Sequence, residues 1–174
     1  MVDDQLYMRK ALLQAERAAS EGEVPVGALM VLADGREFMA HNRPISSHDP
    51  SSHAEIEAIR AACKAVENYR LADATLYITL EPCCMCAGAI THARIGRVVY
   101  GASDPKSGAV ESLYQLLSDK RLNHQVNITT GVLEDECRAQ LKQFFKHRRE
   151  ARKIARTAVH HSRPDRESTI AECE

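Results

Sequence analysis

Two short stretches carry the residues of a metal site, and they constrain the fold more than any other feature. The first contains His53 and, two residues later, Glu55; the second contains Cys83 and Cys86, directly after Pro82. An imidazole and two thiolates are common zinc ligands, and three protein ligands leave the fourth tetrahedral position open for water, whereas structural zinc sites normally use four. The fold must therefore bring these two stretches together.

The pattern of residues indicates hydrolytic chemistry. Zinc lowers the pKa of bound water towards neutrality and so makes hydroxide available at pH 7. Glu55, beside the metal but not on it, can take a proton from that water and pass it to a leaving amine. His-x-Glu with Pro-Cys-x-x-Cys and a non-ligating Glu is the signature of zinc nucleobase deaminases.

Other interpretations of the same residues stay open. A Cys-x-x-Cys pair alone fits a redox pair or half of a structural zinc site. In a structural site, His48 or Cys84 would supply the fourth ligand. We interpret Cys84 instead as a small buried residue, because Cys83 and Cys86 already make the chelate.

Composition limits the class of protein. The 174 residues fit one domain, and 44% hydrophobic with 27% charged residues is typical of a soluble globular protein. No stretch approaches the roughly 18 apolar residues of a membrane span, and the N-terminus lacks a secretory pattern. The six cysteines show no disulfide framework, so we expect a reducing, cytoplasmic location without membrane attachment.

Positive charge is concentrated near the C-terminus. Between residues 146 and 166 lie eight Lys or Arg and two acidic residues, although the formal net charge of the chain is −1. This pattern fits either a polyanionic partner or a solvated helix end with a loose tail. We expect a zinc-dependent deaminase domain over residues 1–150 and a basic, partly disordered tail over 151–174.

Hydrophobic periodicity predicts alternating strands and helices. Asp3 or Asp4 caps a first helix, Ser51 or Ser52 caps the helix that carries His53, and the two ligating cysteines lie at another helix N-terminus. A short helix is predicted over residues 110–117, and a long last helix is expected to pack Phe144 and Phe145 into the core. Near a site the two side chains would also be able to stack on bases, and this alternative stays open. The predicted fold class is α/β, a three-layer α/β/α sandwich with a mixed sheet of about five strands. Predicted strands cover residues 26–32, 36–41, 75–80, 97–100 and 126–130.

Beyond the zinc signature, further motifs carry a family resemblance over roughly residues 5 to 150. The chain resembles the cytidine deaminase-like superfamily and, within it, the bacterial tRNA-specific adenosine deaminases. The motifs are residues 23–28 (EVPVGA), 42–45 (NRPI), 48–50 (HDP), 68–71 (NYRL) and 94–101 (RIGRVVYG), with Asp104, Lys106, Gly108, Asn123, His124, Phe144, Phe145, Arg148 and Arg149.

The resemblance implies deamination of the wobble adenosine in a tRNA anticodon loop to inosine, with release of ammonia. It implies a homodimer that holds one zinc ion per subunit on His53, Cys83 and Cys86, with Glu55 as the proton shuttle. It also implies that Asn42 holds the target base, while the flanking nucleotides contact Asp104, Lys106, Phe144 and Arg149. Two residues depart from the family pattern, which often has Val or another small residue at the Cys84 position and Gly at the Glu111 position. We expect an acidic Glu111 near RNA to alter the affinity or the register of binding.

Two other functions fit the same motifs. A deaminase of a free base or nucleoside, of the guanine or cytosine type, would share the zinc residues without needing Arg148, Arg149 and the basic tail. A non-catalytic, zinc-stabilised RNA-binding module would not need Glu55. Without the resemblance, Asn42 and Asp104 would each be interpreted as a turn residue with no role in binding.

Overall fold

The computed structural model describes residues 3–161. Most of the predicted strands and helices are present, with bounds within a few residues of those expected. In chain order the elements are α1 (Asp4–Ser20), β1 (Gly27–Val31), β2 (Glu37–His41), α2 (Pro44–Ser47), α3 (Ala54–Val66), β3 (Thr75–Leu80), α4 (Cys84–His92), β4 (Arg97–Ala102), a 3₁₀ turn (Leu116–Ser118), β5 (Asn127–Thr129) and α5 (Glu134–His161).

The five strands form one mixed sheet in the order β2-β1-β3-β4-β5. Strand β1 is antiparallel to both β2 and β3, whereas β3, β4 and β5 run parallel. The carboxyl ends of β3 and β4 therefore lie at the same edge of the sheet. This is the edge at which α4, with its cysteines, begins.

Side chains alternate along the strands and create an apolar core on each face of the sheet. On one face Met30, Ile78 and Tyr100 join the core that includes residues of α3 and α4. On the other face Leu29 and neighbouring strand residues pack with α1 and the start of α5. Helices thus cover both faces of the sheet. The predicted three-layer α/β/α class is confirmed.

Helix caps were predicted correctly at α1 but not at α3. The Asp3 carboxylate accepts a 3.1 Å hydrogen bond from the Leu6 amide, as expected of an N-cap. Helix α3 instead begins after His53, which is the N-cap residue without a side-chain capping bond. The Ser51 hydroxyl donates to Asp49 at 2.6 Å, so this serine supports the preceding loop.

The predicted short helix over residues 110–117 is wrong. Only the 3₁₀ turn at its end is helical, and the preceding segment is an irregular loop. The amides of Val110, Glu111 and Ser112 donate to the Glu81 carboxylate, while Leu113 donates to the Gly108 carbonyl oxygen. The Leu116 amide donates to the Ala109 carbonyl oxygen, so neither Leu113 nor Leu116 makes the i→i−4 bond of an α-helix.

The chain divides into two compact units, one up to Phe144 and one that begins at Phe145. Cys137, near the start of α5, belongs to the core of the first unit. Phe145 is 41% exposed, so its expected core position is wrong. The boundary predicted at residue 150 falls within α5 and stays a prediction, and residues 162–174 of the expected tail lie outside the described residues. No described helix has the length and apolar character needed to cross a bilayer.

Candidate active site

Both metal-ligand stretches lie at the start of a helix. His53 is the N-cap of α3 and Cys83 is the N-cap of α4, each with extended backbone dihedrals. Cys86 lies in the first turn of α4 and is buried. The two cysteines thus lie at a helix N-terminus, as the sequence predicted, and the positive end of the α4 dipole favours negative charge there.

The three predicted ligand residues meet at one point. Nδ1 of His53 is 3.7 Å from Sγ of Cys83 and 3.6 Å from Sγ of Cys86. Tetrahedral zinc, with Zn–N near 2.05 Å and Zn–S near 2.3 Å, would place nitrogen and sulfur ligands about 3.6 Å apart. The donor set and its spacing are therefore compatible with zinc.

A fourth protein ligand is not found at this point. Within residues 3–157, the cluster of ligand atoms contains only His53, Cys83 and Cys86, all within 4.8 Å of one another. His48 is exposed and lies outside the cluster, and Cys84 is exposed rather than buried as we expected. Three ligands correspond to a site with an open position, which is the catalytic type.

The thiols of Cys83 and Cys86 affect each other's pKa. Cys86 donates to Cys83 and, together with His53, holds the pKa of the Cys83 thiol at about 4. The same bond to Cys83, with burial, raises the pKa of Cys86. The protein groups thus stabilise one thiolate, and a divalent cation is what would allow both sulfurs to ionise.

Glu55 lies in the first turn of α3, two residues after His53. It is 4% exposed, and burial raises the pKa of its carboxyl. A raised pKa brings a carboxyl closer to the working pH, as a group that both accepts and donates a proton requires. Glu57, on the same helix, instead pairs with Arg60 at 2.9 Å.

Asn42 is placed close to this centre by backbone bonds. Its backbone N–H donates to the Val26 carbonyl oxygen, and the backbone N–H of Arg43 donates to the Ser52 carbonyl oxygen, both at 3.0 Å. Ser52 directly precedes His53. Among the described residues no hydrogen bond to the buried Asn42 side chain is found, and Gln140 has the only enclosed, unpaired side-chain polar atom. The side-chain amide of Asn42 is therefore available to a ligand.

Asp104 and Lys106 lie in the loop after β4. The Asp104 carboxylate accepts a 3.0 Å bond from the Lys106 amide, so Asp104 has the turn role that the sequence left open. Phe144 is half-buried on α5, and Arg149 is exposed on the same helix. Contacts of these four residues with nucleotides stay predictions.

Two buried carboxylates were missed by the sequence analysis. Glu23, 1% exposed, accepts a 2.7 Å bond from the Ser46 amide in α2, the short helix that follows Asn42. Glu81, 2% exposed, accepts bonds from the loop that holds Asp104. A signal was available, because each acidic residue lies within two positions of a proline, beside an apolar strand.

A mixed five-stranded sheet whose edge carries a His/Cys/Cys cluster beside a buried glutamate defines a nucleobase deaminase of the cytidine deaminase-like fold. The profile of MafB19-like deaminases matches residues 2–149. Relatives named tRNA-specific adenosine deaminase are 48% identical in Haemophilus influenzae (90% of this chain, 91% of the relative) and 46% identical in Bacillus subtilis (90% and 97%). The chain belongs to this family of tRNA-specific adenosine deaminases within the MafB19-like deaminases, and the resemblance is confirmed.

A solved structure agrees with this assignment. It comes from biochemical and structural studies of A-to-I editing by tRNA:A34 deaminases at the wobble position of transfer RNA. The match has a TM-score of 0.75 and 46% sequence identity, and it covers 78% of this chain and 99% of that chain.

Proposed function

We propose that this protein is a zinc-dependent hydrolase that converts the wobble adenosine of a tRNA anticodon loop to inosine and releases ammonia. The observation that carries the proposal is the cluster of His53, Cys83 and Cys86 with buried Glu55 beside it. The relatives that share nearly half of its residues are named for the deamination of adenosine in tRNA.

His53, Cys83 and Cys86 would hold one zinc ion per subunit. When bound on three ligands, zinc makes a water molecule acidic enough to act as a nucleophile near neutral pH. In the overall reaction an oxygen from water bonds to C6 of the base, and the C6–N bond breaks. One water proton ends on N1 and the other on the departing ammonia.

Glu55 is the residue that moves these protons. Its carboxyl lies next to the ligand cluster and is shielded from solvent, so a proton it accepts is passed to substrate rather than lost to bulk water. The raised pKa of the carboxyl supports both halves of this role. Glu55 is thus the general base and then the general acid.

A single-stranded anticodon loop suits this buried centre. The target base must leave its stack before its C6 atom reaches the buried centre. In an unpaired loop the free-energy cost of this unstacking is low. The unpartnered amide of Asn42 would hold the edge of the extruded base. Asp104, Lys106, Phe144 and Arg149 would contact the flanking nucleotides.

The protein would act as a homodimer in the cytoplasm. The dimer follows from the family, and the location follows from the tRNA substrate. The free cysteines among the described residues agree with a reducing compartment.

The test is deamination of a purified anticodon stem-loop that carries adenosine at the wobble position. Inosine is measured by nuclease digestion and chromatography, beside free adenosine, cytidine and guanine. A matched oligonucleotide that pairs the same adenosine in a stem is the control. We expect inosine from the open stem-loop alone. Reaction of only a free base or nucleoside would overturn the substrate, and zinc and RNA binding without any turnover would indicate a binding module.

A further inference from the structure

A single carboxylate organises the loop of residues 103–112. Glu81 is the residue after β3 and is almost completely buried. Its Oε1 atom accepts bonds from the amides of Val110, Glu111 and Ser112 at 3.1, 2.8 and 2.9 Å. Its Oε2 atom accepts a 2.9 Å bond from the Asp104 amide and another from the Ser112 hydroxyl.

These bonds reach both ends of the loop. Asp104 lies at its start and Ser112 at its end, so one side chain closes the loop on itself. Hydrogen bonds to an ionised group are stronger than neutral ones, and a buried carboxylate with this many donors is fully satisfied. The loop conformation therefore depends on a residue that lies outside the loop.

Gly108 lies directly against this carboxylate, which leaves no space for a side chain. A Cβ atom at this position would overlap the Glu81 carboxyl group, which its backbone partners prevent from moving aside. Gly108 also forms an isolated bridge with Cys83, and the Ala109 amide donates to the Pro82 carbonyl oxygen at 2.8 Å. The loop is thus fixed directly against the segment that carries a zinc ligand.

We propose that Glu81 and Gly108 form a positioning pair that holds the 103–112 loop in register with the metal-ligand segment, so that Asp104 and Lys106 meet the nucleotides flanking the target base. The inference rests on the proposed function. Glu81 touches neither substrate nor the reacting atoms, and it acts through the loop. Its effect is on the affinity for RNA rather than on the chemical step.

The first variant is Glu81→Gln, which keeps the shape but replaces one acceptor oxygen with a donor. The stem-loop KM and Kd are expected to rise about tenfold, with kcat within about twofold of wild type and zinc content unchanged. Hydrogen exchange at the amides of residues 104 and 110–112 is expected to speed up. A purely structural role would lower the Tm without this separation of KM from kcat.

Gly108→Ala approaches the same contact from the other side. It is expected to give the same rise in KM, and it keeps the test decisive if Glu81→Gln does not fold. The matched control is Asp4→Asn, which removes another carboxylate with several partners, Tyr77 and Arg97. This variant is expected to lower the Tm and leave the stem-loop KM unchanged.

A fall in kcat at unchanged KM, a loss of zinc, or wild-type KM in both Glu81→Gln and Gly108→Ala would each overturn the positioning role. Failure of the proposed function is seen separately, because the wild-type protein would then not deaminate the stem-loop. In that case binding of the same stem-loop by fluorescence anisotropy still tests the positioning pair.

Discussion

The hydroxyl of buried Tyr100 donates a 2.9 Å hydrogen bond to the Glu111 carboxylate. Burial and this contact raise the pKa of Tyr100, which keeps the hydroxyl protonated as a donor. Glu111, where the family often has Gly, is thereby engaged with the protein core. Its expected influence on RNA binding stays a prediction.

Glu111→Gly is expected to lower the free energy of unfolding by about 1–3 kcal/mol, because the buried Tyr100 hydroxyl loses its acceptor. Denaturant unfolding measures the change. Glu111→Gln keeps an acceptor and should cost less. Combining Glu111→Gly with Tyr100→Phe should cost less than the sum of the two single changes, and simple additivity would argue against the bond.

Glu55→Ala is expected to reduce kcat by roughly 10²- to 10⁴-fold, since proton transfer is lost while the ligand cluster remains. Single-turnover inosine formation measures the rate, and elemental analysis and anisotropy should show unchanged zinc and RNA binding. Glu57→Gln, on the same helix, is the matched control and should keep wild-type kcat. Unchanged turnover in Glu55→Ala would refute the assigned mechanism.

Zinc retention should distinguish the three cysteines of the Cys83–Cys86 segment. Cys83→Ser and Cys86→Ser are each expected to lose zinc and activity, because two protein ligands hold the ion poorly. Cys84→Ser should keep both, since Cys84 is exposed and outside the cluster. Zinc content is measured after dialysis against a chelator, and loss of zinc from Cys84→Ser would indicate a four-ligand structural site.

The candidate ligand residues and most strands could be predicted because their signals are local. The Cys83 and Cys86 spacing fixes two ligands on one helical turn, and the apolar run around Leu29 has few other interpretations. Their convergence with His53 then follows from α/β topology, in which helices begin at strand ends. The fold class and ligand cluster were accordingly predicted together.

Buried carboxylates could not be predicted in the same way. Apart from a nearby proline and an adjacent apolar strand, an acidic residue in a sequence looks the same whether it faces water or accepts several amides, as Glu81 does. The helix predicted over residues 110–117 is absent because the Leu113 and Leu116 amides bond to Gly108 and Ala109, which hydrophobic periodicity does not indicate. The core position predicted for Phe145 was wrong for a related reason, since helical periodicity does not indicate how far along α5 the core extends.

Stability is expected to depend on pH through Asp4. The hydrogen bond from Arg97, with bonding from Tyr77, lowers the pKa of Asp4 below its usual 3.8. A lowered folded-state pKa adds stability that is present above the unfolded value and is lost as pH falls through the folded value. Asp4→Asn should therefore cost about 1–3 kcal/mol at pH 7 and progressively less below pH 3.8. Denaturant unfolding of both proteins at pH 7 and pH 3 measures this, and an equal cost at both would refute it.

The basic run on α5 is expected to make RNA binding depend on salt. Arg149 is exposed, and each phosphate contact that is lost should reduce the slope of log K against log salt by about 0.7 to 0.9. Arg149→Ala should therefore weaken stem-loop binding and flatten this slope, as measured by anisotropy over a salt series. Arg36→Ala is the matched control, because Arg36 pairs with Asp34 at 2.8 Å in the turn between β1 and β2. Equal slopes for wild type and Arg149→Ala would show that this arginine does not contact phosphate.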